Sequence, residues 1–202
     1  MKKVLTFIGL ILIISACEST PPNPLYLDTN GVTVKAHKWA KIGDEGIIND
    51  VRYTIVDKET LKNLIRSGNS YDRVCTSFIA DMSNLFDRKN TSQDISNWDV
   101  SNVQNMNYMF ARNYGFNSDI SNWDVSNVIS MDSMFWVSSS FNQDLSSWDV
   151  SNVQNMNSMF RSASSFNQDL SSWDVNKVVF FLYSIRDFSD GTTNWTLPKP
   201  NF

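Results

Sequence analysis

Trp98-Asp-Val-Ser-Asn-Val-Gln-Asn-Met-Asn-Tyr-Met-Phe110 sets the organisation of the chain, because it returns twice at a displacement of 25 residues. The copies are Trp123-Asp-Val-Ser-Asn-Val-Ile-Ser-Met-Asp-Ser-Met-Phe135 and Trp148-Asp-Val-Ser-Asn-Val-Gln-Asn-Met-Asn-Ser-Met-Phe160, and a fourth opens at Trp173-Asp174-Val175 before it degrades. A second constant piece, Phe-Asn-(Gln/Ser)-Asp-(Leu/Ile)-Ser-(Ser/Asn), starts at Phe116, Phe141 and Phe166. A fixed period of this size predicts a stack in which each unit buries its apolar face only against its neighbours.

Two periodicities run within one unit. Trp148 and Val150 flank Asp149, which predicts a short strand with both apolar groups inward and the carboxylate outward. Val153, Met156, Met159 and Phe160 follow at intervals of three, three and one, which predicts one face of a short helix. Ser151 with Gln154 and Ser101 with Gln104 read as capping boxes at its start. About four such strand-turn-short-helix units make a right-handed α/β solenoid over residues 71–187, with Trp98, Trp123, Trp148 and Trp173 in one buried column. Ile79-Ala-Asp-Met82 marks an earlier unit, 24 residues before Val103. Residues 188–202 hold a worn half-unit, Phe188 to Leu197, closed by Pro198 and Pro200, which cannot continue a ladder.

The flanks read differently. Residues 1–16 form a secretion leader: Lys2 and Lys3 precede an apolar run from Val4 to Ile14 that is too short to span a bilayer. Ile14-Ser15-Ala16-Cys17 resembles a bacterial lipobox, in which the leader is cut before a cysteine that then carries lipid; an ordinary secretion signal is the alternative. Residues 17–30, with Pro21, Pro22 and Pro24, read as a tether. Residues 31–70 read as a small α+β cap. Val32 to Ala36 alternates as a strand, Gly46 to Val56 suggests a hairpin turning at Asn49-Asp50, and a helix follows with Asp57 as its cap, Leu61, Leu64 and Ile65 as its stripe and Gly68 as its end.

The formal net charge is −4, and loss of the leader removes Lys2 and Lys3 and no acid, leaving 15 basic against 21 acidic side chains. From Ser92 to Val175 the cations are Arg112 and Arg161, set against nine aspartates. Nucleic acid is excluded as a partner, since it needs a basic face. Cys75 reads as a small buried hydrophobe, and with His37 as the single histidine no Cys/His metal cluster can be assembled.

Asp99, Asp124, Asp149 and Asp174 are predicted to form an exposed acidic column and are the candidate binding residues. Stacked about 5 Å apart, each neighbouring pair repels by about 1 kcal/mol in water, so something must offset the charge. Either each carboxylate caps the Val-Ser-Asn turn after it, or calcium bridges the column together with Asp94, Asp119, Asp144 and Asp169.

The Trp-Asp-Val-Ser-Asn-Val-x-x-Met-x-x-Met-Phe and Phe-Asn-Gln-Asp-Leu-Ser-Ser-Trp pieces resemble the 25-residue repeat of BspA-like leucine-rich-repeat surface proteins of mycoplasmas and Bacteroidetes. The resemblance implies a leucine-rich-repeat-like solenoid displayed on the bacterial surface for adhesion, and it assigns no catalytic residue. In its last copy the chain departs from the pattern, with Ser184 and Ile185 where Met159 and Phe160 stood. The expectation is a lipid-anchored, non-enzymatic protein of the cell envelope, at the outer membrane or cell surface. It is held to the membrane through Cys17, needs no cofactor or metal, and meets a host or bacterial surface protein or a glycan. Catalysis is disfavoured because every notable carboxylate recurs in each copy, whereas catalytic sites are singular. A passive envelope spacer and a calcium-stabilised scaffold are the alternatives.

Overall fold

The computed structural model describes residues 21–90, 93–178 and 187–202. Cys17 and the leader, and the departures at Ser184 and Ile185, lie outside the described residues. Strand β1 (Leu25–Leu27) pairs antiparallel with β2 (Val34–Ala36), so regular structure starts within the segment expected as a tether. β3 (Glu45–Ile48) and β4 (Val51–Ile55) form the expected hairpin. Both turn residues, Asn49 (φ 49°) and Asp50 (φ 63°), are left-handed, which matches the twist of the two strands. β5 (Val74–Cys75) adds parallel to β4.

Helix α1 (Lys58–Ser67) is bounded as its caps dictate. The Asp57 side chain accepts from the Thr60 amide, and Gly68 takes φ 71° while its N–H returns to the last turn. Leu61 is buried, and Leu64 and Ile65 pack against the same apolar cluster that runs through the repeats. Lys58 bonds Ser83 and pairs with Asp81 at 2.9 Å, closing α1 over the first copy.

The repeats correct the expectation of a leucine-rich-repeat-like α/β solenoid. Among the described residues α1 is the one helix, both sheets are small and lie within residues 25–75, and the units from Ile79 onward contain neither the strand nor the short helix expected of them. Consecutive copies instead meet through single parallel bridges, Asp81 to Asn105, Asn105 to Ser130 and Ser130 to Asn155. The backbone explains the difference. Met106, Tyr108, Phe110 and Arg112 donate their amides to carbonyls of Ser130, Asp132, Met134 and Trp136 in the following copy. Of the alternating amides, those of Met109, Ala111 and Asn113 bond three residues back, as in β-turns, and that of Asn107 bonds the Asn105 side chain. A helix would send each of these amides four residues back. It is further excluded by two left-handed residues in each copy: Asn84 and Arg88, Tyr108 and Arg112, Ser133 and Val137, Ser158 and Ser162. The expected capping boxes are absent as well, since the Gln154 amide bonds the Ile129 carbonyl of the preceding copy.

Burial nevertheless follows the sequence pattern. Trp98, Trp123, Trp148 and Trp173 are all buried, together with the valines, methionines and phenylalanines of each unit. The phenylalanines form two adjoining columns. Phe86, Phe110, Phe135 and Phe160 stack at 5.4–5.6 Å, and Phe116, Phe141 and Phe166 at 5.6–5.8 Å. The columns touch at Phe110–Phe116, Phe135–Phe141 and Phe160–Phe166, 3.8–4.1 Å apart. At the far end Trp195 meets Phe160 and Phe166 edge-on, turning the columns off. Each indole N–H donates backward, Trp123 to Ile95, Trp148 to Ile120 and Trp173 to Leu145, at 2.9–3.2 Å. That bond is the reason the position takes tryptophan and not phenylalanine.

Candidate binding surfaces

The acidic column is built by local turns. In each copy the first Asp carboxylate accepts the amide two residues on: Asp99 from Ser101, Asp124 from Ser126, Asp149 from Ser151 and Asp174 from Asn176, at 3.0–3.1 Å. The second series repeats the device, with Asp94, Asp119, Asp144 and Asp169 accepting from Ser96, Ser121, Ser146 and Ser171, each at 2.9 Å. These are Asx turns, so the repulsion along each column is offset by backbone N–H groups. The Ser151 donors hold Asp149 below the usual carboxyl range, and those of Ser121 do the same for Asp119. Among the described residues no group of three or more His, Cys, Asp or Glu side chains could hold a metal ion.

One member of the column does not belong to an exposed face. Asp124, Asp149 and Asp174 point outward, but Asp99 is only 3% exposed. Its carboxylate takes the hydroxyls of Ser77 and Ser101, and Ser77 in turn accepts the Ala36 amide of β2. Asp99 therefore joins the cap to the repeats, because the cap covers this copy where later copies meet solvent. Cys75 sits in the same junction, buried, with Sγ 3.3 Å from Ser77 Oγ, and burial pushes its thiol up.

The amide columns are also occupied. Asn102, Asn127 and Asn152 each donate a side-chain N–H to the carbonyl of Ser77, Ser101 or Ser126 in the copy before, at 2.8 Å. Asn117 and Asn142 each accept the amide of the residue 25 further on.

Two aromatic groups went unnoticed in the sequence. Tyr26, His37 and Trp39 form an outward run on the cap, with His37 and Trp39 stacked at 5.7 Å and Trp39 52% exposed. On the repeats, Tyr108 and Trp136 meet edge-on at 6.4 Å, and the Arg112 guanidinium lies 4.7 Å over the Trp136 ring while both Asp87 oxygens hold it. The signal for the second group was legible: these residues stand where the other copies carry small or polar ones.

A chain whose apolar core and inter-copy bonds recur every 25 residues is a repeat protein. Residues 80–196 match the family described as "Mycoplasma protein of unknown function, DUF285", and the chain belongs to that family. No curated protein and no solved structure matches it.

Proposed function

We propose that this is a lipid-anchored bacterial cell-surface protein that presents its repeat region to a protein or to another cell. The observation that carries the reading is the row Asp124, Asp149 and Asp174, fixed in orientation by Asx turns and facing outward at copy spacing. Pre-ordered charges reduce the entropy lost on binding and select a partner of complementary charge. The leader over residues 1–16, cut before Cys17, and the likeness of the Trp-Asp-Val-Ser-Asn-Val unit to BspA-like surface repeats support display at the envelope. A passive spacer is the competing reading, favoured by one observation: Asn127 and Asn152 are spent on bonds between copies and not offered to a partner.

The test uses cells that express the full chain. Metabolic labelling with a fatty-acid analogue marks the protein and is lost in Cys17→Ala, and protease added to intact cells releases the domain. Adhesion of those cells to immobilised basic and neutral surface proteins falls when Asp124, Asp149 and Asp174 become Asn together. Absence of label on the native chain removes the anchor, and adhesion that ignores the triple substitution leaves only the spacer.

A further inference from the structure

In a protein built from copies, residues that break the pattern are not required by the stacking. Where other copies carry Asn84, Ser133 and Ser158, one carries Tyr108; where others carry Asp87, Ala111 and Arg161, one carries Trp136. These departures converge. Tyr108, Ser133, Trp136, Ser158 and Arg161 line one cleft of about 140 Å³. Two of the left-handed positions here are occupied by residues that resist that conformation, Tyr108 at φ 56° and the β-branched Val137, next to Trp136, at φ 59°. Bulky and β-branched side chains are unfavourable there, and such strain gathers where side chains must be aimed.

We infer that this cleft binds one neutral pyranose ring of a surface glycan. The Trp136 and Tyr108 rings supply the apolar walls against which the C–H face of a sugar packs, and the volume admits a single ring. Arg161 supplies donors for ring hydroxyls: it is ion-paired with Asp187 and Asp190 at 3.6 and 3.7 Å, both longer than hydrogen bonds. An acidic sugar is disfavoured because Asp87 already neutralises Arg112 and two aspartates flank Arg161. The inference deepens the surface-recognition reading and rests on it for its setting. The site itself is tested in solution, so a failure here leaves the anchor and the acidic row untouched.

The full chain, kept in a sugar-free detergent, is titrated calorimetrically with methyl glycosides of glucose, galactose, mannose and N-acetylglucosamine, and with methyl glucuronide. At least one neutral glycoside binds saturably. Affinity falls about tenfold or more in Trp136→Ala and in Arg161→Gln, and much less in Trp136→Phe, which keeps an aromatic wall. Arg161 is a surface residue, so its variant reports on the cleft without dependence on core packing. The inference is overturned if no neutral glycoside binds, if the glucuronide binds more tightly, or if either Trp136→Ala or Arg161→Gln leaves affinity unchanged.

Discussion

In the cap, Asp57, Gly68 and the Asn49-Asp50 turn satisfy the backbone within one helix or one hairpin, while in the repeats every second amide of the Met-to-Arg112 segment reaches a carbonyl in the next copy. The cap thus has conventional elements whose boundaries can be assigned residue by residue. The repeats have a shared core and almost no element that exists within a single copy. Stability in the first region is local; in the second it belongs to junctions.

The sharpest way to break that contrast is to empty the middle of the stack. Phe135→Ala removes a ring packed on four others, and a loss of about 3–5 kcal/mol is expected, against about 2–5 kcal/mol for Leu61→Ala in α1. The distribution matters more than the size. Hydrogen exchange should quicken at the amides of Phe110 and Phe160 on both sides of Phe135, whereas Leu61→Ala should leave Phe160 protected. Equal loss everywhere in both variants would make the chain one cooperative body and dissolve the distinction.

Next in size is the indole bond. Trp148→Phe keeps most of the apolar volume but removes one of two hydrogen bonds to the Ile120 carbonyl, which still accepts the Trp123 amide, at an expected cost of about 0.5–1.5 kcal/mol in denaturant unfolding. Tyr53→Phe in the cap removes a hydroxyl that takes only a 3.4 Å contact from Asn97, and should be close to neutral.

Glycine gives a prediction of sign. Ser158 holds φ 51°, so Ser158→Gly should raise stability by about 0.5–1 kcal/mol, whereas Asn63→Gly inside α1 should lower it by about 0.3 kcal/mol. A helical repeat unit would lose stability in both. A melting temperature that falls for Ser158→Gly would restore the helix that the left-handed residues exclude.

The smallest effects are those of pH. The Asp81 carboxyl is raised by partial burial but lowered more by its bonds to Lys58 and Ser83, and Asp119 and Asp149 are lowered by their serine donors. For a carboxyl depressed in the fold, the stabilisation is present above the unfolded value and lost as the pH falls through the folded one. Stability should therefore decline as the pH drops below the ordinary 3.8. Asp132 has the opposite sign: burial raises it, so its charge opposes folding at neutral pH. Asp132→Asn, which restores the residue type of Asn107 and Asn157, should raise the melting temperature at pH 7 and change little below pH 3.8.

These differences explain how far the sequence could be read. Asp57, Gly68 and Asn49-Asp50 are local signals with local consequences, and the helix and hairpin fell where they pointed. Val153, Met156, Met159 and Phe160 fixed which side chains are buried but not the path between them. A run of β-turns returns residues three apart to one side much as a helix does. What decides between the two is the destination of each amide, and that lies in another copy. The Asx turns were legible from the Asp-x-Ser spacing. The burial of Asp99 was not, because it depends on Ser77, whose hydroxyl is tied in turn to Ala36 of the cap.

The two-way traffic between copies has a consequence for descent. Alternate amides such as those of Met106 and Phe110 reach forward to the following unit, while the amides of Ile129 and Gln154, the indoles and the asparagine side chains reach back to the preceding one, so a unit inside the stack meets the same partners above and below. A whole 25-residue block duplicated or deleted by unequal crossing-over would find its joints ready-made on both sides. An insertion out of phase by even two residues would misalign every rung it met. Array length is accordingly the trait this architecture lets genomes vary most cheaply, with the period held constant by the joints themselves.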